Sequence, residues 1–341
     1  MPEPGQAESE PSMSRVEPLA TPDKSQVIAS PRTYQPPEPP GLVTRMRKHW
    51  SDYLYIAPSL LVMAVVIGYP LVYTVWLGFY RDDPFTGTRS WVGMQNYEDL
   101  LWGDFSERFW DVTRNTFYWT VFSTFFAFVL GFGAALMIHK EFFGRGFVRG
   151  LLLIPWVISF VAAAYVWRWL FHSDYGLISG MLMRWGWIDD QIIFLDDTSR
   201  VMPSLIVANV WKEFPFVMIM MLAGLQTVPE QLLRAARIDG ANAWNQFLHI
   251  TVPQVKSVMV ITLLLLFVTN LNSFGLPWIM TGGGPANASM IWIVQIYTTA
   301  FRNLQFGLAS AFSVILFIFM MAIGYFYVRA LTGTDGNRRS T

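Results

Sequence analysis

Six apolar segments of membrane-spanning length, separated by polar stretches, constrain this chain more than any other feature. They fall near residues 55–79, 116–138, 151–171, 201–225, 258–280 and 307–331. Each is long enough to cross about 30 Å of hydrocarbon at about 1.5 Å of helical rise per residue. In hydrocarbon every backbone amide needs a partner within the protein, so such segments fold as helices. The predicted fold class is therefore all-α, a polytopic membrane protein with six transmembrane helices. A composition of 53% hydrophobic and 14% charged residues is far from the soluble balance, which carries about 25% charged residues. The chain has no cysteine, which excludes disulfides and thiolate sites and fits a bacterial inner membrane.

Orientation follows from the basic residues beside the spans. With the amino terminus inside, the inner face carries Arg45, Arg47, Lys48, Lys140, Arg145, Arg149, Arg234, Arg237, Lys256, Arg329, Arg338 and Arg339. The outer loops carry Arg81, Arg89, Arg108, Arg114, Arg184, Arg200 and Arg302, so the bias is twelve to seven. Both termini are expected in the cytosol. Residues 1–44 are rich in Pro, Glu and Ser and poor in large apolar side chains, the composition of a disordered cytoplasmic tail. The membrane domain is expected over 45–335, with the first apolar segment retained as a helix because it starts too late and runs too long for a signal peptide.

The most informative polar stretch is Leu232–Pro253, within a loop spanning 229–253. Its first half reads as a short helix containing Ala235 and Ala236, which let another surface approach the backbone closely. Asp239, Gly240 and Ala241 then form a turn, in which glycine permits a left-handed residue. Trp244, Phe247 and Leu248 recur at helical spacing, giving a second short helix with one sticky face that leads to Ile250-x-x-Pro253. This order of small, acidic, glycine and proline residues resembles the cytoplasmic coupling loop of binding-protein-dependent ABC importer permeases, carbohydrate class, of maltose and trehalose type. The resemblance covers most of residues 55–331. It also rests on Trp211–Phe216, on Leu222–Gln226 with Val228–Glu230, and on Thr281-Gly-Gly-Gly-Pro285.

That resemblance implies the type I ABC importer permease fold, with an intertwined core formed by the last five helices. It implies a second homologous permease subunit, two ATP-binding cassette subunits that use ATP and magnesium, an extracytoplasmic solute-binding protein and a carbohydrate substrate in a lipid membrane. It implies no cofactor, metal or nucleic acid on this chain, and no catalytic residue. The ATPase-coupling residues carried over are Glu230, Arg234, Ala235, Ala236, Asp239, Gly240, Ala241 and Pro253. Arg234 departs from the family, whose signature begins with Glu at this position. Glu230 lies one turn earlier, where an i, i+4 pair with Arg234 is expected to contribute a few tenths of a kcal/mol.

Inside the membrane, charged groups cost about 2.5 to 3.5 kcal/mol each and need partners or water. On the fourth span Asn209, Lys212, Glu213 and Phe216 share one helical face, combining an amide, two charges and a ring, the chemistry of a sugar path. Pro215 removes a helical hydrogen bond beside them, and broken helices in transporters often mark substrate sites. On the fifth span Asn270 and Ser273 share a face, whereas Asn272 points elsewhere in a regular helix. The matching stretch of maltose-type permeases contributes to the sugar site, which implies the same role for Asn270, Asn272 and Ser273. A structural alternative stays open for both sets: ion pairs to neighbouring helices for Lys212 and Glu213, interhelical hydrogen bonds for the amides.

Three other functions are weighed against a sugar importer. A glycerol-3-phosphate-type importer would share nearly the same fold and coupling loop. A stand-alone secondary transporter normally needs intramembrane carboxylates, and only Glu213 qualifies. A membrane enzyme would need a nucleophile, a metal cluster or a carboxylate pair, and none converges. His49, His139, His172 and His249 are too scattered to ligate a metal, and Gly282–Gly284 lacks the Lys-Ser/Thr of a phosphate loop.

Overall fold

The computed structural model describes residues 50–83 and 86–336; the predicted tail over 1–44 lies outside them. By its contacts the chain divides after Val62. The described part of the first unit is helical, and Leu54, Tyr55, Ile56, Leu60 and Leu61 all stand exposed on it, as on a helix that meets lipid. This helix, α1 (Trp50–Met63), continues through a π-helical turn at Ala64–Gly68 into α2 (Tyr69–Leu77).

A two-stranded hairpin follows, β1 (Tyr80–Asp82) antiparallel to β2 (Arg89–Trp91), then α3 (Gln95–Leu101). Together they make a small polar cap. Asn96 is 1% exposed and ties α3 to the hairpin by donating to the carbonyls of Gly78 and Tyr80 at 2.9 and 2.7 Å. Arg81 pairs with Asp99, and Arg89 with Asp82 at 2.8 Å. The rest is helical: α4 (Ser106–His139), α5 (Arg145–Val157), α6 (Phe160–Leu170), α7 (Leu177–Arg184), α8 (Val201–Leu225), α9 (Glu230–Ile238), α10 (Ala243–Gln246), α11 (Val252–Leu271), α12 (Gly275–Met280), α13 (Trp292–Tyr297) and α14 (Phe306–Gly336).

Among the described residues, Leu54–Leu77, Ser106–His139, Val201–Leu225, Ala243–Met280 and Phe306–Tyr327 are each long and apolar enough to cross a bilayer. The pair α5 and α6 passes the same test only when taken together, is bent by 92°, and makes a sixth crossing if the two form one broken span rather than a re-entrant loop. Here the structure departs from the uninterrupted span read from the sequence over 151–171. Pro155 has no N–H to give to the helix, and Ile158 and Ser159 turn extended, at ψ 137° and 138°.

The core is organised on α8, which is apolar nearly all round and contributes Val201, Leu205, Val217, Met218 and Met221 at no more than 0% exposure each. Its main neighbour is α4. Between membrane helices there is little hydrophobic drive, so close approach of small residues matters more. Ala127, Gly131 and Ala135 recur every four residues on α4, and all are buried. A Cβ on Gly131 would lie 2.5 Å from both the Phe214 carbonyl and the Val217 side chain, so the two backbones need glycine there. On the other side, α11 packs on both α4 and α8, and α6 packs on α12.

Candidate functional site

The loop after α8 is exposed and yet ordered by its own hydrogen bonds. α9 buries no residue. It closes with a paired C-terminal motif: the Ala241 N–H donates to the Ala236 carbonyl at 2.9 Å and the Gly240 N–H to the Arg237 carbonyl at 3.2 Å, with Gly240 at φ +81°. One residue later the Asn242 side chain accepts from the Asn245 N–H at 2.8 Å and caps α10. Gln246 reaches back to the Ala241 carbonyl at 2.7 Å. Glu230 and Arg234 form the i, i+4 pair read from the sequence, at 2.9 Å, with both side chains about two-thirds exposed. Ala235 and Asp239 are exposed, Ala236 and Ala241 half-buried, and Pro253 is exposed in the first turn of α11.

Phe247 anchors this loop, its ring 5.7 Å from Phe132 on α4 and 5.7 Å from Trp244. The apolar tips face away: Ile238 is 87% exposed and Trp244 64%. Between the end of α4 and the loop runs an open groove of about 1940 Å³, lined on the loop side by Glu230, Leu233, Arg237, Trp244 and Phe247.

The intramembrane polar residues divide into three groups. Asn209, on α8, donates from Nδ2 to Oδ1 of Asn270, on α11, at 2.7 Å, and both are buried. Asn270 Nδ2 donates in turn to Thr124 Oγ1 at 3.2 Å, and its carbonyl accepts from Trp119 Nε1 at 3.0 Å. Two amides thus bind three helices. The polar partners on α4, Trp119 and Thr124, escape a reading of single helices; the recurrence of Thr116, Thr120 and Thr124 every four residues was the available signal.

Lys212 turns to the broken span, donating from Nζ to the carbonyls of Ile158 at 2.8 Å and of Pro155 and Trp156 at 3.3 Å. Glu213 makes no hydrogen bond among the described residues, and Phe216 stacks on Trp156 with ring centroids 6.4 Å apart. At the end of α11, Asn272 is exposed and donates to the Val268 carbonyl at 2.9 Å, away from the Asn209–Asn270 pair. Ser273 is half-buried, with a hydroxyl that makes no hydrogen bond among the described residues. No group of three or more His, Cys, Asp or Glu side chains among them could hold a metal ion.

Thr281–Pro285 opens a tight loop against α4. Thr281 Oγ1 and Ser289 Oγ lie 2.8 Å apart, Ser289 donates to the Gly284 carbonyl at 2.6 Å, and Asn115 on α4 donates to the Asn287 carbonyl at 3.1 Å.

The described residues thus hold five helices long and apolar enough to cross a membrane and one bent pair, with an ordered, exposed loop between α8 and α11. The family described as binding-protein-dependent transport system inner membrane component matches residues 127–333, and the chain belongs to it. It is thus a multi-pass inner-membrane permease of the ABC transporter class. A probable ABC transporter permease of Brucella suis is 32% identical over 291 residues, 85% of this chain and 99% of that one. The trehalose/maltose transport system permease MalF of Thermococcus litoralis is 31% identical over 286 residues, 84% and 95% of the two chains. In fold, the chain is similar to a crystal structure of a bacterial ABC transporter involved in the import of alginate, with a TM-score of 0.70, 22% identity and coverage of 84% and 98%.

Proposed function

We propose that the chain is the sugar-translocating subunit of an ATP-driven importer, moving a disaccharide or oligosaccharide handed over by a solute-binding protein. A second permease subunit completes the pathway, and two ATPase subunits bind the ATP and magnesium, so this chain carries no cofactor of its own. The observation that carries the reading is the loop over 229–253, rigid through its paired caps while Ile238 and Trp244 stand into solvent. Glu230, Arg234, Ala235, Ala236, Asp239, Gly240, Ala241 and Pro253 form or shape the surface that enters the ATPase. With Arg234 and Glu230 paired, the loop presents a neutral couple there, and an exposed pair of this kind contributes about 0.3 to 0.5 kcal/mol.

Within the membrane, Glu213, Phe216, Ser273 and Asn272 supply the groups that meet sugar, while Asn209, Asn270 and Lys212 hold the same seam of α8, α11 and the broken span in register. The relative from Thermococcus litoralis, named for trehalose and maltose, supports a disaccharide. Uptake of labelled trehalose by cells carrying the whole transporter tests this, with unlabelled maltose and glycerol 3-phosphate as competitors. Maltose or trehalose should compete, and competition by glycerol 3-phosphate alone would contradict the sugar assignment.

The proposed orientation, with both termini in the cytosol, rests on the distribution of basic residues. Because the chain has no cysteine of its own, Ser340→Cys introduces a unique thiol. It should stay unlabelled by an impermeant thiol reagent in intact spheroplasts and react once the membrane is opened; labelling before opening would reverse the topology.

A further inference from the structure

Where α5 ends and α6 begins, the break at Ile158 and Ser159 strands carbonyl oxygens that a continuous helix would have paired. Such a cluster inside a membrane protein needs a cation or donors, since an orphaned carbonyl in hydrocarbon costs several kcal/mol. The Lys212 ammonium supplies them, donating to Ile158, Pro155 and Trp156, while the neighbouring Glu213 carboxylate interacts with it through charge alone. Three rotatable donors on one flexible stem suit three carbonyls at different angles.

The consequences reach beyond the break. α8, which carries Lys212, also carries Asn209 bonded to Asn270 on α11. α11 leads into α12, where Arg168 of α6 donates to the Ile279 carbonyl at 3.3 Å and Gly275 lies against the Phe160 ring. The elements close a ring: broken span, Lys212, α8, the Asn209–Asn270 bond, α11, α12, and back to α6.

We propose that Lys212 is a positioning residue, a tethered cation that fixes the bend between α5 and α6 and so sets the outer wall of the sugar path without touching the sugar. This rests on the reading as a permease, but the bend can be measured without transport, so the two fail separately. The lack of native cysteine makes the measurement direct: Leu151→Cys on α5 and Val166→Cys on α6, 54% and 51% exposed, carry spin labels on either side of the break in the assembled transporter.

In the background with Lys212 intact the distance distribution should be narrow. With Lys212→Met it should broaden or shift, and the maximal uptake rate should fall about tenfold with little change in apparent KM, the mark of a group that is not a ground-state contact. Lys212→Arg, which keeps the charge and the donors, should restore most of both. If Lys212→Met prevents assembly, Lys212→Gln, a shorter and uncharged donor, is read in the same way. An unchanged distance distribution would overturn the proposal, whether uptake is lost, as for a direct sugar contact, or retained. Failure of Lys212→Arg to restore the bend would overturn it as well.

Discussion

Asn270→Leu should weaken the assembled transporter in detergent and lower uptake together. The side chain holds two interhelical bonds, one received from Asn209 and one given to Thr124, in a site only 1% exposed. Interhelical hydrogen bonds in membranes average about 0.6 kcal/mol and reach about 1.7, so the pair is worth about 1 to 3 kcal/mol. Leucine also leaves the Asn209 amide buried without its acceptor, which adds to the loss. Thermal unfolding of the purified complex and initial uptake rates, measured on the same preparation, should both fall. Ser273→Ala provides the contrast. Its hydroxyl makes no hydrogen bond among the described residues, so removing it should leave stability intact while uptake drops about 5- to 150-fold if the hydroxyl binds sugar. An Asn270→Leu complex as stable as the parent would show that the bond between α8 and α11 contributes nothing. A Ser273→Ala transporter with normal uptake would take Ser273 out of the path.

This contrast refines what the sequence can say about the fourth and fifth spans. Helical spacing places Asn209, Lys212, Glu213 and Phe216 on one face, but spacing within a helix does not tell which neighbour each side chain meets. Asn209 meets Asn270, 61 residues away, and Lys212 meets a carbonyl cluster 54 to 57 residues away. Those partners are set by packing, which no local pattern carries. The break in the third span is only partly local: Pro155 withholds a helical N–H, but hydropathy passes smoothly through Pro155 and Ser159, and the Lys212 ammonium that meets the carbonyls there comes from another helix. By contrast, the loop over 229–253 is written locally. Ala236, Gly240 and Ala241 complete a helix end within six residues, Asn242 caps the next helix three residues ahead, and Glu230 finds Arg234 one turn along. Asn272 was likewise legible as pointing away from Asn270, because two residues along a helix of 3.6 residues per turn make about a half turn and place it off the shared face.

Coupling through that loop is the centre of the proposed function, and Gly240 is the residue on which its shape turns. At φ +81° it adopts a conformation that a β-branched residue strongly disfavours, although nothing lies within 4 Å of where a Cβ would stand. The penalty for Gly240→Val is therefore conformational and local, about 1 to 3 kcal/mol, and it falls on the turn between α9 and α10. The decisive measurement is the amount of sugar imported per ATP hydrolysed by the reconstituted transporter, with and without Gly240→Val. The mutant should insert and assemble with its partner permease yet lose most of its ATP-driven uptake, with hydrolysis no longer stimulated by the loaded binding protein. Full transport with full stimulation would contradict the assignment of residues 229–253 as the ATPase docking element.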